Sequence, residues 1–372
     1  MKWKVPYIDL SLQFENSEKE LTEEFKRVMK EGSFILRDDV KKFEDNMASY
    51  LDVKHVIGVN SGTDALSLSV EAAGIKEGDE VITVAHTFVA TIAAIVHRKA
   101  KPVLVDIKED FNMDIEEVEK AITDKTKAII PVHLNGRMCN MDRLIEIARK
   151  YNLIIIEDAC QSLGSLYKGK KAGSFGLTGC FSTHPMKTLS CGGDGGFVST
   201  NNDEIAEKIR YLRDHCQKLT EKGKKIVCFG FNSRLDNLQA AILNVKFKLL
   251  DQFIKRRREI ASIYAERLAD LPLILPPLLS QQDYFDTYNS YVIRTSYQQE
   301  LMDFLELNGI EVFAHFSEPL HHNQKLNLPN YNFPINEKIC KEILSLPIHP
   351  ELTNEQVEYV IETIHKFFKY KK

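Results

Sequence analysis

Short apolar runs alternate with amphipathic stretches along the first two-thirds of the chain. The apolar runs are rich in Ile and Val and are as short as buried strands, and the stretches between them repeat their apolar residues at helical spacing. Strands of this kind, separated by helices, are typical of an α/β fold whose mostly parallel sheet is covered by helices on both faces. The predicted strands are residues 55–59, 80–84, 102–107, 128–132, 153–157, 178–183 and 195–200, and the predicted helices among them are residues 64–73, 87–97, 115–122 and 141–151.

A long helical pattern follows the last of these strands. Apolar residues recur every three or four positions from Leu235 onward, and the pattern continues as far as Leu271, where Pro272 ends it. Beyond this connector, the chain predicts a second, smaller α+β domain with a strand at 291–295 and helices at 299–308 and 354–368. We therefore predict a large domain at residues 1–246 and a small domain at residues 247–372.

The composition is that of a folded protein without a strong excess of either charge. Lys and Arg number 49 and Asp and Glu number 53, so the net charge of −4 argues against a general nucleic-acid-binding protein, which would carry a basic surplus. The seven Cys are an odd number without any C-x-x-C pair, so we predict neither a disulfide framework nor a metal site, but thiols in a reducing compartment. The opening residues become polar too soon for a signal peptide, and no apolar run approaches the roughly 18 residues of a membrane span. The sequence therefore predicts a cytoplasmic protein without membrane or nucleic-acid partners.

Three segments carry the candidate chemistry, and the first lies where a predicted strand meets a helix. Residues 60–66 read NSGTDAL and open the helix directly after the strand. Small residues at a helix N-terminus leave backbone N–H groups open, and the helix dipole favours an anion there. The segment therefore predicts an anion-binding turn, although an ordinary N-cap formed by Ser61 or Thr63 explains the same residues.

The second segment, residues 154–161, is an apolar strand that ends in the two acidic residues Glu157 and Asp158. In open α/β sheets, ligands bind beyond the carboxyl ends of the strands. If strand alternation turns Glu157 outward, Asp158 faces the ligand crevice, where a carboxylate can bind solvent, a metal or a cofactor cation. A loop carboxylate that caps a neighbouring helix is the alternative.

The third segment, residues 178–196, places Lys187 on a tight turn after a strand. Ser182 and His184 stand at the end of the strand, Pro185 forces the turn, and a glycine-rich stretch ends the segment. A lysine held in this way can be partly desolvated, which lowers its pKa and frees its amine as a nucleophile towards an aldehyde. For any single lysine, an exposed surface position is the alternative.

Together, the three segments supply the groups that pyridoxal phosphate needs. Its phosphate needs the anion site, its pyridinium nitrogen needs a carboxylate that keeps it protonated, and its aldehyde needs the lysine. We therefore predict a pyridoxal phosphate enzyme with Lys187 and Asp158 as its catalytic residues.

Many short motifs, in the same order, resemble those of one enzyme family. They are FIL at 34–36, NSGTDAL at 60–66, HTFVAT at 86–91, PVHLNG at 131–136, EDACQSLGS at 157–165, GSFG at 173–176, CFSTHPMKTL at 180–189, GDGG at 193–196 and FNSRLDNLQAA at 231–241. The chain resembles the DegT/DnrJ/EryC1/StrS family of nucleotide-sugar aminotransferases, which are pyridoxal phosphate enzymes of fold-type I, from about Pro6 to Phe367. The resemblance implies a large domain with a mostly parallel seven-stranded sheet flanked by helices, and a smaller α+β C-terminal domain.

The resemblance also implies roles for residues around the cofactor. Lys187 would bind the cofactor aldehyde and then move protons as the general base, and Asp158 would pair with the pyridinium nitrogen. Gln161 would hydrogen-bond the phenolic oxygen of the cofactor, and Phe88 would lie against the face of its ring. The phosphate would be held by Gly62, Thr63 and Ser182.

Further residues are implied at contacts with a neighbouring subunit and with the substrate. Asn232 is similar to a residue that the neighbouring subunit contributes to the phosphate, which implies a homodimer with shared active sites. His184 and Arg234 are implied as substrate contacts, and so are His315 and His321, which fall where the family forms its sugar-nucleotide pocket. For the last two, solvated loop histidines are an equally good interpretation.

The implied reaction is transamination. An amino acid, by resemblance L-glutamate, would give its amino group to the cofactor, and the cofactor would pass it to a keto group on a nucleotide-linked deoxysugar. A dehydratase of the same family and a regulator that binds the cofactor without catalysis are the alternatives. Lys187 favours transamination, because the dehydratase branch has His at this position, and the complete set of cofactor residues argues against a regulator.

Overall fold

The computed structural model describes residues 3–220, 223–277 and 282–371, in which strands and helices alternate along most of the chain. The strands are β1 (His55–Val59), β2 (Glu80–Val84), β3 (Lys101–Val105), β4 (Thr126–Ile129), β5 (Ile154–Asp158), β6 (Leu166–Tyr167), β7 (Lys170–Lys171), β8 (Thr178–Ser182), β9 (Gly196–Thr200), β10 (Gln217–Thr220), β11 (Gly223–Ile226), β12 (Tyr284–Phe285), β13 (Tyr291–Arg294) and β14 (Ile343–Leu346). The helices are α1 (Leu10–Glu15), α2 (Glu18–Glu31), α3 (Asp38–Leu51), α4 (Gly62–Ala72), α5 (Val89–Val96), α6 (Ile115–Ala121), α7 (Met141–Tyr151), α8 (Asp203–Leu212), α9 (Asn237–Phe247), α10 (Leu250–Arg267), α11 (Gln298–Leu307), α12 (Pro334–Cys340) and α13 (Asn354–Lys371).

Seven strands form the central sheet, in the order β1-β9-β8-β5-β4-β2-β3. The strands from β3 to β8 in this order run parallel to their neighbours, whereas β9 runs antiparallel to both β8 and β1. The predicted α/β class and the mostly parallel seven-stranded sheet are therefore confirmed. Because β1, β5 and β8 share one direction, the segments that follow them meet at the same edge of the sheet.

Both faces of the sheet are buried, which explains why its strands are apolar throughout. In β1, Val56 packs into a core that also contains side chains of α3 and α7. Ile57 and Val59 pack into a second core, on the other face, with side chains of α4, α5 and α8. A strand covered on both faces has no polar alternation, as expected for a parallel sheet between two layers of helices.

A smaller α+β unit follows the large sheet in the chain. The antiparallel pair β13–β14 and the helices α10, α11 and α13 share a separate apolar core. Helix α10 contributes Leu250 and Ile254 to a core of the large sheet and Ile260 and Tyr264 to the small core, so it joins the two. The division between residues 246 and 247 stays a prediction.

The single long helix predicted from Leu235 to Leu271 is wrong. The structure has two helices in this region, α9 and α10, with a break at Lys248 and Leu249. Helix α9 packs against α2 and α3, whereas α10 begins in the same core with Leu250 and Ile254 and reaches the small core only at Ile260 and Tyr264. Neither helix contains Pro or Gly, and apolar residues continue across the break, so periodicity alone does not reveal it.

The described part of the chain contains one disulfide, between Cys216 and Cys228, and the prediction of free thiols is wrong for this pair. Cys216 and Cys228 are bonded across the hairpin β10–β11, with their Cα atoms 5.5 Å apart. Their spacing of 12 residues matches no sequence motif, because the hairpin, rather than a local turn, brings them together. The other cysteines, at positions 139, 160, 180, 191 and 340, are free.

No helix among the described residues has both the length and the apolar character that a membrane crossing requires. Helices α10 and α13, at 18 residues each, carry many charged side chains. The cytoplasmic location stays a prediction.

Candidate active site

A cavity of about 470 Å³ opens at the carboxyl edge of the central sheet. It lies beyond the ends of β1, β5 and β8, where a ligand is expected in a sheet of this kind. Nine of the residues singled out from the sequence line it: Gly62, Thr63, Phe88, Asp158, Gln161, Ser182, His184, Lys187 and His315. The fold thus brings three segments that are far apart in the chain to one place.

Lys187 lies on the turn that follows β8. The Lys187 N–H donates a hydrogen bond to the His184 carbonyl at 2.8 Å, and Pro185 fixes the second position of this turn. Burial lowers the pKa of the Lys187 amine, although the nearby Cys160 and Asp158 oppose the shift. The amine is therefore neutral more readily than that of a surface lysine, as a nucleophile or general base requires.

Asp158, the last residue of β5, is 5% exposed and faces the cavity. Its Oδ2 accepts a hydrogen bond from Thr91 Oγ1 at 2.8 Å, and its Oδ1 accepts one from the Cys160 N–H at 3.2 Å. Both donors are neutral groups, so they fix the orientation of the carboxylate without compensating its charge. The charge can therefore act on a cationic ligand in the cavity.

Glu157 points to the opposite side of the strand, as the alternation of side chains predicts. It is fully buried, and its carboxylate accepts three backbone N–H groups of the loop 173–176 at 2.7–2.9 Å. It also lies 3.0 Å from Nε2 of His133. These bonds commit Glu157 to the support of the loop and leave Asp158 as the acid that faces the cavity.

The N-terminus of α4 borders the cavity next to the end of β8. Ser61 caps the helix, because its Oγ accepts the Asp64 N–H at 3.0 Å. The first N–H groups of a helix have no partner within the helix, and here they belong to residues that line the cavity, Gly62 and Thr63. The cap and the anion site are therefore two properties of the same turn.

Gly62 allows a close approach between α4 and β8. A Cβ atom at this position would lie 2.8 Å from Ser182 Cβ and 2.9 Å from Cys160 Sγ, closer than such atoms pack. The backbone of the helix therefore lies directly against the end of the strand. With the hydroxyl groups of Thr63 and Ser182 beside open N–H groups, this narrow cradle fits a phosphate.

Gly62→Ala is expected to weaken the binding of pyridoxal phosphate about tenfold, because the added methyl group separates α4 from β8. Forcing a methyl group into a packed site also costs roughly 1–3 kcal/mol of folding free energy. Cofactor titration followed by absorbance measures the first effect, and thermal unfolding of the cofactor-free protein measures the second. Unchanged cofactor affinity in a destabilised variant would contradict the assignment of the cradle to the phosphate.

Gln161 and His315 reach the cavity from different parts of the fold. Gln161 Oε1 accepts the Asn135 N–H at 3.0 Å, which leaves its amide nitrogen to donate to a ligand. His315 Nδ1 lies 3.3 Å from Ser345 Oγ. Burial lowers the pKa of His315, and the charge of Lys187 lowers it further, so this ring is a neutral hydrogen-bonding group at pH 7.

Phe88 and His184 form the exposed rim of the cavity. Phe88 directly precedes α5 and is 61% exposed. His184 is also exposed, and its Nδ1 accepts the Met186 N–H at 3.3 Å within the turn that carries Lys187. Both side chains are placed to meet a ligand as it enters.

Asn232 and Arg234 lie outside this cavity in the single chain. Asn232 is exposed, on the segment that follows β11. Arg234 Nη1 lies 2.8 Å from Asp214 Oδ1, so its charge is engaged within the chain. The contacts of Asn232 with a neighbouring subunit and of Arg234 with substrate stay predictions.

His321 also lies outside the cavity, and its interpretation as a solvated loop histidine is wrong. It is 8% exposed, its Nε2 is 3.2 Å from Glu337 Oε1, and its ring packs against Phe333. Together with His322 and Glu337, it forms the one set of three potential metal ligands within 4.8 Å of one another in the described part of the chain. A role of His321 in substrate binding stays a prediction.

A profile of the DegT/DnrJ/EryC1/StrS aminotransferase family matches residues 15–365. This range includes every residue that lines the cavity except Tyr7. The chain belongs to this family. That this cavity is the active site stays a prediction.

Named relatives of this aminotransferase align over nearly its whole length. A protein named "Pleiotropic regulatory protein" from Geobacillus stearothermophilus is 42% identical over 98% of this chain and 99% of its own. The dTDP-3-amino-3,4,6-trideoxy-alpha-D-glucose transaminase of Streptomyces venezuelae is 37% identical over 98% of this chain and 96% of its own.

Solved structures confirm fold-type I for the aminotransferase. DesV from S. venezuelae has a TM-score of 0.93 and 36% identity, and the match covers 98% of both chains. NtdA from Bacillus subtilis, solved with the bound cofactor PMP (pyridoxamine phosphate), has a TM-score of 0.88 and 30% identity over 95% of this chain and 82% of its own.

The aminotransferase is dependent on pyridoxal phosphate, and the residues of its cavity fit this cofactor. When bound, the cofactor supplies an aldehyde that condenses with amines and a protonated ring that withdraws electrons from the substrate carbon. Lys187 would hold the aldehyde, Asp158 would pair with the ring nitrogen, and the N-terminus of α4 would hold the phosphate.

Some residues of the cavity were not found by sequence reasoning. Tyr7 reaches it from the N-terminal segment, and Asn289 and Ser290 reach it from the segment before β13. No local pattern marks them, because only the packing of distant segments brings them to the site. Thr91, which holds Asp158, lies within the motif at 86–91, so a search for polar partners of the acid within the motifs could have found it.

Proposed function

We propose that this protein transfers an amino group from an amino acid, with L-glutamate as the donor, to a keto group of a nucleotide-linked keto-deoxysugar in amino-sugar biosynthesis. The observation that carries the proposal is one cavity in which the amine of Lys187 and the carboxylate of Asp158 lie beside an open helix N-terminus. The sugar substrate is supported by the name of the S. venezuelae relative, a dTDP-sugar transaminase.

Lys187 is the residue that moves the proton in both halves of such a reaction. With the cofactor bound, its Nζ would take the proton from the substrate carbon that bears the amino group in the first half-reaction and would return a proton to the sugar carbon in the second. Burial lowers the pKa of this amine, which favours the neutral form that accepts a proton. Asp158 would pair with the ring nitrogen and so favour its protonated form.

The rim of the cavity is the proposed site of the sugar. Phe88 offers an exposed aromatic face, and His184 and His315 offer ring nitrogens that hydrogen-bond hydroxyl groups. These contacts suit a sugar ring that is apolar on one face and polar at its edge.

We also propose that the active unit is a homodimer with shared active sites. Four apolar side chains lie exposed on or beside β11, namely Ile226, Val227, Phe229 and Phe231. A second copy that covers this surface would remove it from water. Asn232 follows the same segment and lies outside the cavity of its own chain, so it is free to reach the phosphate site of the other.

A non-catalytic regulator is the second candidate, because one relative carries the name "Pleiotropic regulatory protein". A regulator needs to bind the cofactor but has no use for a base with a lowered pKa. The position of Lys187, half-buried in the cavity near Asp158, is therefore the feature that favours the enzyme.

The pyridoxamine phosphate form of the protein is expected to return to the aldehyde-form spectrum when it is mixed with its keto-sugar substrate. A panel of dTDP- and UDP-linked 3-keto and 4-keto sugars tests this by absorbance, with mass spectrometry of the sugar product. Gain of an amino group identifies transamination, whereas loss of water identifies the dehydratase alternative. 2-Oxoglutarate, the keto acid of the proposed donor, is the positive control. If it restores the spectrum and no nucleotide sugar does, the proposed acceptor is wrong; if neither does, the regulator is favoured.

A further inference from the structure

Two histidines and a glutamate converge on one point beside α12. His321 and His322 lie on a short 3₁₀ turn, Leu320–His322, and Glu337 lies on α12. The Nε2 atoms of both histidines are 3.2 Å from the same carboxylate oxygen, Glu337 Oε1. The two ring planes are inclined at 63°, so the rings approach this oxygen from different directions.

Hydrogen bonds alone do not satisfy this arrangement. Glu337 Oε1 also accepts the Phe333 N–H at 3.3 Å, so three nitrogen atoms approach one oxygen atom. A carboxylate oxygen has about two lone pairs, so at most two of the three nitrogens can donate to it with good geometry. A cation among the ligand atoms removes this conflict, because the histidines then present lone pairs to the ion while the oxygen still accepts the Phe333 N–H.

The spacing of the three ligand atoms suits a zinc ion. Zinc binds histidine nitrogen and carboxylate oxygen at about 2.0–2.2 Å in a tetrahedral arrangement, which places neighbouring ligand atoms roughly 3.3–3.5 Å apart. The two nitrogen–oxygen distances of 3.2 Å are close to this spacing. All three ligand atoms lie within 4.8 Å of one another, so a small rotation of the exposed His322 ring completes the set.

The types of ligand favour zinc over calcium or magnesium. Calcium and magnesium take oxygen ligands, whereas imidazole suits zinc and its neighbours among the transition metals. Burial lowers the pKa of His321, so its ring is neutral at pH 7, as metal binding requires. Its Nδ1 is buried and has no hydrogen-bond partner among the described residues, so no contact there commits Nε2 to carrying the proton. The His322 side chain is 49% exposed, which gives an ion access from solvent.

We propose that His321, His322 and Glu337 form a binding site for a divalent ion of the zinc type, with water as the fourth ligand. The ion joins the turn 320–322 to α12. None of the three residues lines the cavity of Lys187, so the inference does not depend on the proposed function. The prediction of no metal site rests on the cysteine pattern, which does not bear on a set of two histidines and a glutamate.

Metal titration of the full-length protein tests the proposal. The protein is prepared without a polyhistidine tag, loaded with pyridoxal phosphate, freed of unbound cofactor and metal, and titrated with Co²⁺. We expect a single ion per chain, with the visible absorption of a four-coordinate cobalt site. An excess of Zn²⁺ should displace this ion, whereas Mg²⁺ should not, because magnesium prefers oxygen ligands.

His322→Gln and Glu337→Gln each remove one ligand and are expected to weaken Zn²⁺ binding by at least about 100-fold, the upper end of the effect of losing an outer-shell partner. His322 is exposed, so its substitution leaves the packing intact, whereas His321 packs against Phe333 and is therefore left unchanged. His97→Gln is the matched control. His97 is an exposed histidine outside the set, and this variant should bind Zn²⁺ as the wild type does.

Zn²⁺ should also slow amide hydrogen exchange in residues 320–337 of the wild type but not of His322→Gln, because openings that separate the turn from α12 release the ion. At a free Zn²⁺ concentration of 100 times the dissociation constant, this slowing approaches about 100-fold. Failure of the wild type to bind Co²⁺ and Zn²⁺ would overturn the proposal. So would unchanged Zn²⁺ binding in either ligand variant, displacement of Co²⁺ by Mg²⁺, or exchange that Zn²⁺ leaves unaffected.

Discussion

Replacing Lys187 by Ala is expected to lower kcat by at least about 10³-fold, within the range that general acid–base groups contribute. The methyl group can neither hold the cofactor aldehyde nor carry a proton between the substrate carbon and the cofactor. The protein should still bind pyridoxamine phosphate, because the phosphate cradle and Asp158 are unchanged. Borohydride treatment of the wild type should fix the cofactor at residue 187, and peptide mapping shows whether it does.

The same substitution should not destabilise the cofactor-free protein, which separates a chemical role from a structural one. Burial lowers the pKa of Lys187 in the folded state, so the unfolded chain binds this proton more tightly. Wild-type stability therefore rises with pH between the lowered pKa and the ordinary pKa of a lysine, and this rise is absent in the variant. Lys187→Arg, which keeps the charge but cannot condense with an aldehyde, should be equally inactive.

Lys168→Ala is the matched control for this variant, since Lys168 is an exposed lysine paired with Asp142. It should leave turnover unchanged. Near-normal turnover of Lys187→Ala, or a cofactor fixed at another lysine, would refute the assignment of the base.

Replacing Asp158 by Asn is expected to slow turnover about 10²–10³-fold, the scale seen when one preorganised electrostatic partner is removed. The amide has the same shape, and its oxygen can still accept the Cys160 N–H, while the Thr91 hydroxyl can rotate to accept from the amide nitrogen. The fold should therefore be retained. What is lost is the negative charge that keeps the ring nitrogen protonated, so proton removal from the substrate carbon becomes slow.

Single-turnover absorbance with L-glutamate directly measures the rate of proton removal from the substrate carbon. The cofactor spectrum of Asp158→Asn should also titrate at lower pH than that of the wild type, because a ring nitrogen without a carboxylate partner loses its proton more easily. Asp142→Asn removes an exposed acid and should change neither quantity. An unchanged rate in Asp158→Asn would show that another group protonates the ring.

Much of the fold was predictable, because short-range patterns reflect which faces of an element are buried. The predicted strands 55–59 and 80–84 and the helix 141–151 coincide with β1, β2 and α7. It was also predictable that the two acids at the end of β5 face opposite sides, since side chains alternate along a strand and so separate Glu157 from Asp158. The break between α9 and α10 was not, because apolar residues continue through it and Leu243 and Leu250, on either side of it, pack into the same core.

The residues of the candidate site were also predictable only in part. Lys187, Asp158 and Gly62 lie in motifs whose residue types suit one cofactor, and the fold brings them to one cavity. His321 belongs to a sequence segment beside His315, yet only His315 lines the cavity, because His321 is held by Glu337 of α12. A motif places residues near one another in the chain but does not decide which of them faces the ligand.

By itself, the sequence determined the α/β class, the order of the strands along the chain and the chemistry of the cofactor site, since each depends on residue types within short windows. Only the tertiary structure decided that Tyr7 and Ser290 complete the cavity and that Cys216 and Cys228 meet across a hairpin. Such contacts depend on how separate segments pack against one another, and no local pattern of hydrophobic and polar residues records the partner of a distant segment.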